Sequence, residues 1–139
     1  MRIAYDFDGV FIPDFDKIPG LGGLYKFYEM TQHVRPIFEP EGAYTILTGR
    51  LAVYQHFTES YLDKFLTNKP EELFHGRGLH QKPHEYKETI LNANTDIAVY
   101  VESDLFTVTH LREHVDCEVI HFSDFIREKL RLSSYPLSV

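Results

Sequence analysis

In Arg2-Ile3-Ala4-Tyr5-Asp6-Phe7-Asp8-Gly9-Val10, a short apolar run ends in two carboxylates that are separated by one residue and followed by glycine. The apolar residues 3–5 suit a buried parallel strand, which is apolar on both faces. Gly9 lets the chain leave the sheet in a backbone conformation that most residues resist. Because ligands bind at the carboxyl ends of strands in open α/β sheets, the stretch predicts a strand that delivers Asp6 and Asp8 to a site.

Two carboxylates this close repel each other unless they share a cation or a proton, which favours a functional interpretation. The alternative is a capped turn, in which Asp6 and Asp8 accept hydrogen bonds from nearby backbone amides.

Beyond this stretch, β-rich runs alternate with segments of helical spacing. We predict strands at 43–47, 72–76, 97–101 and 119–122, helices at 24–34, 51–66, 83–92, 105–115 and 125–132, a loop at 11–23 and a loose tail at 133–139. Such alternation predicts a parallel sheet with helices on both faces. The expected fold is a three-layer, Rossmann-like α/β sandwich around a mainly parallel five-stranded sheet.

The composition fits one domain spanning residues 1–139. The chain has 139 residues, of which 43% are hydrophobic, enough for a substantial core. Its formal net charge of -7 disfavours binding of nucleic acid mainly through phosphate charge, so nucleic acid is expected only as a substrate. Cys117 is the one cysteine and is expected to pack as a small hydrophobe. No apolar run approaches a membrane span and no leader is recognised, so a cytoplasmic location is expected.

Three of the predicted strands end in polar residues. Asp6 and Asp8 follow the first, Thr48-Gly49-Arg50 follows the second, and Glu102-Ser103-Asp104 follows the fourth. Because parallel strands all point the same way, we expect these three ends to meet at one edge of the sheet.

The ordered set of motifs resembles the haloacid dehalogenase-like hydrolase superfamily over nearly the whole chain. It consists of Asp6-Phe7-Asp8-Gly9-Val10, Ile46-Leu47-Thr48-Gly49-Arg50, Lys82-Pro83 and Tyr100-Val101-Glu102-Ser103-Asp104. The resemblance implies a small phosphatase without a separate cap domain, because the spacings between these motifs leave room for the core elements and little more.

The resemblance also implies roles for individual residues. Asp6 would be the nucleophile that takes the phosphoryl group, and Asp8 would protonate the leaving oxygen and later activate water. Thr48, with Gly49 and Arg50, would bind the substrate phosphate; an exposed arginine at a helix start is the alternative for Arg50. Lys82 would neutralise charge on the phosphoryl group and the nucleophile.

The implied metal ligands are Asp6, the backbone carbonyl of Asp8, and an acid after the fourth strand. Either Glu102 or Asp104 could be that acid, because the two are separated by one residue here, whereas the family often has adjacent aspartates. Oxygen ligands beside a phosphate favour Mg²⁺ over zinc.

Lys87 is a second candidate for the lysine. About 15 residues separate it from Glu102, which is tight for a helix followed by a strand, so Lys82 is preferred.

These roles describe a Mg²⁺-dependent phosphohydrolase that cleaves a phosphate monoester through an aspartyl-phosphate intermediate. A phosphate monoester is anionic, so a carboxylate can attack it only when a divalent cation and a lysine offset the charge. An uncapped site suits a phosphorylated small molecule, a phosphorylated macromolecule end, or a substrate enclosed by a second subunit of a homo-oligomer.

Other interpretations stay open. The chain could be a catalytically silent module that recognises a phosphorylated partner, since its fourth motif is unusual. A response-regulator receiver also has five strands, acids and a lysine, but its early acids are adjacent.

Three further features carry weaker hypotheses. The loop 11–23 would act as a partial lid, and its acids Asp14 and Asp16 are expected in an exposed turn. His110 and His114 lie four apart on a predicted helix, but without a third ligand in the sequence pattern a surface role is favoured over zinc.

Overall fold

The structure, a computed structural model, describes residues 2–14 and 24–133. Its strands are β1 (Arg2–Tyr5), β2 (Thr45–Leu47), β3 (Glu72–Phe74), β4 (Ile97–Glu102) and β5 (Glu118–His121). Its helices are α1 (Leu24–Thr31), α2 (Gln55–Phe65), α3 (Pro83–Ala93), α4 (Leu105–His114) and α5 (Phe122–Ser133), with a 3₁₀ turn at Ala52–Tyr54 before α2.

The five strands form one sheet in the order β3-β2-β1-β4-β5, and every neighbouring pair is parallel. This confirms the predicted α/β class and the Rossmann-like arrangement. No cap domain is present among residues 2–14 and 24–133. The chain builds outward from β1 to β3 and then crosses to β4 on the other side, so the order reverses between β1 and β4. That reversal is where open α/β sheets bind their ligands.

Alternation along the strands divides the core into two layers. Tyr5 and Phe7 belong to a cluster with residues of α2 on one side of the sheet, and Ala4 belongs to a cluster with residues of α3 and α4 on the other. Successive side chains in a strand point to opposite faces, so the residue after Tyr5 is directed towards α3 and α4. Cys117 packs against this second cluster, as expected for a small hydrophobe.

Two predicted helices are shorter than expected, for local reasons. The first ends at Thr31, where the hydroxyl donates to the carbonyl of Tyr28 and the next three residues continue with bonds to the third residue back. The segment 51–66 begins with Leu51 in an extended conformation, bridged to Arg77, so the α-helix starts only after the 3₁₀ turn. The tail 134–139 and most of the loop 11–23 lie outside the described residues.

The described part of the chain contains no helix that is both long and apolar enough to span a membrane.

Gly9 makes the turn after β1 possible in two ways. Its φ of +86° lies in the left-handed region, and a Cβ placed on it would come 2.4 Å from the Ser103 Oγ, far inside any normal contact. Gly42 has a similar φ of +74° but no atom within 4 Å of such a Cβ. A side chain at Gly42 would therefore cause backbone strain alone, whereas a side chain at Gly9 would cause both backbone strain and steric overlap.

We predict that Gly9→Ala lowers the free energy of unfolding more than Gly42→Ala does. Both variants take on the cost of a left-handed conformation, roughly 1–2 kcal/mol, but only Gly9→Ala also displaces Ser103. Urea unfolding of the two variants and the parent measures the difference. Equal losses would contradict the close approach of Ser103 to Gly9.

Candidate functional site

The reversal point between β1 and β4 opens into a pocket of about 270 Å³. Asp6 and Asp8 come to it from the end of β1, Gly49 and Arg50 from the segment after β2, and Glu102 from the end of β4. The structure thus brings together the three polar strand ends that the sequence placed at one edge.

The centre of the site is a buried charge cluster. Asp6 is 5% exposed and Lys87, from the second turn of α3, is 4% exposed. The Lys87 Nζ lies 3.1 Å from the Asp6 Oδ1 and 2.5 Å from the Glu102 Oε1, so one ammonium group holds two carboxylates together. Burial would lower the pKa of Lys87, but the attraction of the two carboxylates raises it above its ordinary value.

Asp6 is a weaker acid in this cluster than an ordinary aspartate. Burial, followed by repulsion from Glu102, raises the pKa of Asp6 well above its usual range, and Lys87 only partly opposes this. The pKa of Glu102 is lowered instead, because the ammonium of Lys87 and backbone amides outweigh the effect of burial. The two carboxyls therefore divide the roles: Glu102 stays ionised and Asp6 holds a proton more readily.

Glu102 uses both carboxylate oxygens on neighbouring groups. Its Oε1 accepts from Lys87 and, at 2.8 Å, from the Tyr100 hydroxyl, while its Oε2 accepts from the backbone N–H groups of Ser103 and Asp104, both at 2.9 Å. Glu102 lies beside Asp6 and binds the lysine that contacts it.

Asp104, the other predicted metal ligand after β4, begins α4. Its Oδ2 accepts from the N–H and the hydroxyl of Thr107, at 3.0 and 2.8 Å, as an N-cap residue does. Asp104 also lines the pocket.

Ser103, which the sequence analysis did not select, faces the two early aspartates. Its Oγ lies 3.0 Å from the Asp6 Oδ2 and 2.9 Å from the backbone carbonyl oxygen of Asp8. Two residues apart in an extended chain, Tyr100 and Glu102 share a face, so the residue after Glu102 turns the other way. Alternation alone would direct Ser103 away from Asp6, but β4 ends at Glu102, and from the bend after the strand the Ser103 side chain reaches Asp6. No sequence pattern therefore identified Ser103.

These oxygens provide a test of the predicted magnesium ion. The Asp6 Oδ2 and the Asp8 carbonyl oxygen converge on one hydroxyl, and a carboxylate, a carbonyl and a hydroxyl are the hard oxygen donors that Mg²⁺ accepts while keeping several waters. The donor set therefore fits such a cation on Asp6, the carbonyl of Asp8 and Ser103. This donor set contains one carboxylate, that of Asp6, because both carboxylate oxygens of Glu102 already accept hydrogen bonds from other groups.

Asp8 is held by a buried arginine. The Arg50 Nε and Nη2 donate to the two carboxylate oxygens of Asp8, both at 2.8 Å, and Arg50 is 2% exposed. Its guanidinium carbon also lies 4.7 Å from the ring centre of Phe7 and 4.4 Å from that of Tyr28. Arg50 is therefore not an exposed helix-start residue, and its partner in this structure is Asp8.

A buried polar chain continues behind Arg50. The Arg50 Nη1 donates to the Thr58 hydroxyl at 3.1 Å, and that hydroxyl lies 2.9 Å from the His75 Nε2. Burial, and then the nearby Arg50, lower the pKa of His75 to about 4. His75 is thus neutral at pH 7 and adds no second positive charge beside the guanidinium.

Gly49 lines the pocket, whereas the neighbouring Thr48 does not. Thr48 is buried, accepts from the N–H of Arg50 at 3.2 Å and does not line the pocket. Gly49 does line it, and a Cβ at Gly49 would lie 2.8 Å from the Pro83 Cβ. The absence of a side chain at Gly49 therefore lets the first residue of α3 approach the segment after β2.

The structure places Lys87, and not the preferred Lys82, beside Asp6. Lys82 is exposed at the start of α3, where its N–H donates to the Glu85 side chain at 2.9 Å, and the lysine beside Asp6 is Lys87. α3 runs antiparallel to β4. The part of α3 after Lys87 is about 9 Å long, whereas β4 is about 17 Å long, so the backbone of Lys87 lies short of the carboxyl end of β4. Side chains of a helix point towards its N-terminus, which for α3 is the pocket end, and the long lysine side chain spans the remaining distance.

We predict that Lys87→Met destabilises the fold by about 3–5 kcal/mol at neutral pH, because it leaves two buried carboxylates without their shared cation. Lys82→Met, the matched change at an exposed position, should alter stability by no more than about 0.5 kcal/mol. Urea unfolding compares them. The loss in Lys87→Met should shrink as the pH falls, since protonation of Asp6 removes one of the two buried charges; a loss independent of pH would argue against the charge cluster.

Of the two acids predicted in the loop 11–23, only Asp14 belongs to the described residues. Asp14 lines the pocket, so it is closer to the site than expected, and Asp16 lies outside the described residues.

Comparison of the chain with known proteins gives no match: no family model fits it, and neither a curated protein nor a solved structure is significantly similar.

Proposed function

We propose that this chain is a Mg²⁺-dependent phosphohydrolase that cleaves a phosphate monoester through an aspartyl-phosphate on Asp6. The observation that carries the proposal is the contact of Asp6 with Lys87, 3.1 Å from Nζ to Oδ1, at the carboxyl end of β1 in an open pocket. The resemblance of the ordered motifs to haloacid dehalogenase-like hydrolases supports the same chemistry.

The charge of the pocket explains why a divalent cation belongs to the proposal. The described lining residues include five carboxylates and three lysine or arginine side chains, namely Asp6, Asp8, Asp14, Glu102 and Asp104 against Arg50, Arg77 and Lys87. A pocket with this excess of negative charge repels a phosphate dianion. A divalent cation on Asp6, the carbonyl of Asp8 and Ser103 would offset the excess and supply electrophilic stabilisation of the phosphoryl oxygens.

The chain's own residues would then act in two steps. In the first, the Asp6 carboxylate forms a bond to phosphorus as the bond to the leaving oxygen breaks, and Asp8 gives that oxygen a proton. In the second, Asp8 takes a proton from the attacking water, which releases phosphate and restores Asp6. Lys87 offsets charge on Asp6 in both steps. The substrate class is a phosphorylated small molecule or the phosphorylated end of a macromolecule.

We predict Mg²⁺-dependent release of phosphate from an aryl phosphate, with a loss of at least about a thousandfold in Asp6→Asn because the nucleophile is removed. Asp63→Asn, the same substitution at an exposed position of α2, should retain the parent rate. Phosphate release over time is measured with and without EDTA. Equal rates in parent and Asp6→Asn, or no release by either, would contradict the enzyme proposal.

A second candidate is a catalytically silent module that recognises a phosphorylated partner. Two observations favour it: Ser103, not a carboxylate, faces the Asp6 Oδ2 and the Asp8 carbonyl, and both carboxylate oxygens of Asp8 are bound by Arg50. A hydroxyl contributes no charge to a cation site, so metal affinity would be low. In this case phosphate binds without turnover.

We predict that Ser103→Asp raises the affinity for Mg²⁺ at least about tenfold, because it adds a second charged ligand at the point where the oxygens of Asp6 and Asp8 converge. Ser60→Asp, at an exposed position of α2, is the matched control and should leave affinity unchanged. Calorimetric titration with MgCl₂ measures both. If turnover appears only in Ser103→Asp, the silent module describes the parent; unchanged affinity would argue against a cation at this position.

A further inference from the structure

A second group of metal-binding side chains lies between α3 and α4. Glu88 of α3 faces His110 and His114 of α4, and one ligand atom from each lies within 4.8 Å of the others. The Glu88 Oε1 is 2.7 Å from the His110 Nε2. Residues four apart on a helix share a face, so His110 and His114 project side by side.

The structure supplies the further ligand that the sequence pattern lacked. The ring of His84, one turn before Glu88 on α3, lies 4.6 Å from that of His110, measured between ring centres. The rings of His110 and His114 are 4.1 Å apart. Glu88 of α3 therefore completes a group of three with His110 and His114 of α4, and His84 packs beside that group.

One histidine is already oriented as a metal ligand. The His114 Nδ1 lies 2.7 Å from the backbone carbonyl oxygen of His110, and because a carbonyl can only accept, Nδ1 carries the proton. The Nε2 of neutral His114 then bears a free lone pair. A bond from Nδ1 to a carbonyl is the usual way in which proteins fix the tautomer of a metal-bound histidine.

We propose that Glu88, His110 and His114 form a Zn²⁺ site that joins α3 to α4. Two imidazoles and one carboxylate suit zinc, whereas the pocket beside Asp6 offers hard oxygens alone. Zinc would replace the proton shared between Glu88 and His110. The site is separate from the one proposed for Mg²⁺, and it does not depend on phosphatase activity.

The position of the site gives it a structural consequence. α3 carries Lys87, and α4 begins two residues after Ser103, so a link between these helices constrains the two elements that complete the candidate pocket. His84 itself lines that pocket. Zinc bound to the folded chain alone also raises its stability in proportion to the logarithm of zinc concentration above the dissociation constant.

The test is titration of the untagged full chain with ZnCl₂ in the presence of millimolar Mg²⁺, followed by calorimetry. We expect saturation at one zinc per chain and a rise in the unfolding temperature. His114→Ala should weaken binding at least about tenfold, and Glu88→Gln should also weaken it, because each removes a ligand. His33→Ala, at an exposed histidine outside the cluster, is the matched control and should bind as the parent does.

A further variant separates the two sites. Asp6→Asn should bind zinc like the parent, and loss of zinc binding in it would place the metal in the candidate pocket and overturn the proposal. Binding that is unchanged in His114→Ala, or that falls equally in His33→Ala, would overturn it as well. Cobalt substitution gives a second readout: we expect visible absorption bands of low-symmetry Co²⁺ in the parent and their loss in His114→Ala.

Discussion

The site depends on one buried interaction, the ammonium of Lys87 between the carboxylates of Asp6 and Glu102. One positive charge cannot neutralise two negative charges in a region of low dielectric, so the cluster keeps one negative charge to balance. A proton on Asp6 is one way to balance it, and burial, followed by repulsion from Glu102, raises the pKa of that carboxyl. A divalent cation would compete with that proton, so metal binding and the ionised state of the proposed nucleophile favour each other.

The parallel fold assembles this cluster from distant parts of the chain. β1 and β4 are neighbours in the sheet, and their ends place Asp6 next to Glu102 although 96 residues separate them. α3 runs opposite to the strands, so its side chains point towards the same edge and bring Lys87 to both acids. Gly9 and Gly49 complete the assembly, because they let Ser103 and Pro83 come closer than a Cβ would allow.

The sequence predicted the class of fold and the three strand ends, because alternation of apolar runs and abrupt polar endings are local properties. It did not predict which lysine or which residue after β4 faces Asp6. Spacing favoured Lys82, but the deciding quantities were the direction and length of the Lys87 side chain. Ser103 was not selected, because it lies beyond the end of β4, where strand alternation no longer sets the direction of a side chain. The grouping of Glu88 with His110 and His114 was missed because α3 and α4 meet only in three dimensions.

The contacts of Arg50 with Asp8 and Thr58 limit how a phosphate could bind in the pocket. The Thr58 hydroxyl accepts from Arg50 and lies 2.9 Å from the His75 Nε2, and the tautomer of His75 sets which of these two groups donates. The His75 Nδ1 is buried and without a partner among the described residues, and burial together with the nearby Arg50 keeps His75 uncharged at pH 7. In the proposed reaction, the phosphate of a substrate would compete with Asp8 for the same guanidinium. If it wins, Asp8 is released to exchange protons with the leaving oxygen and with water; if Asp8 keeps Arg50, the chain binds phosphate without the acid that turnover requires.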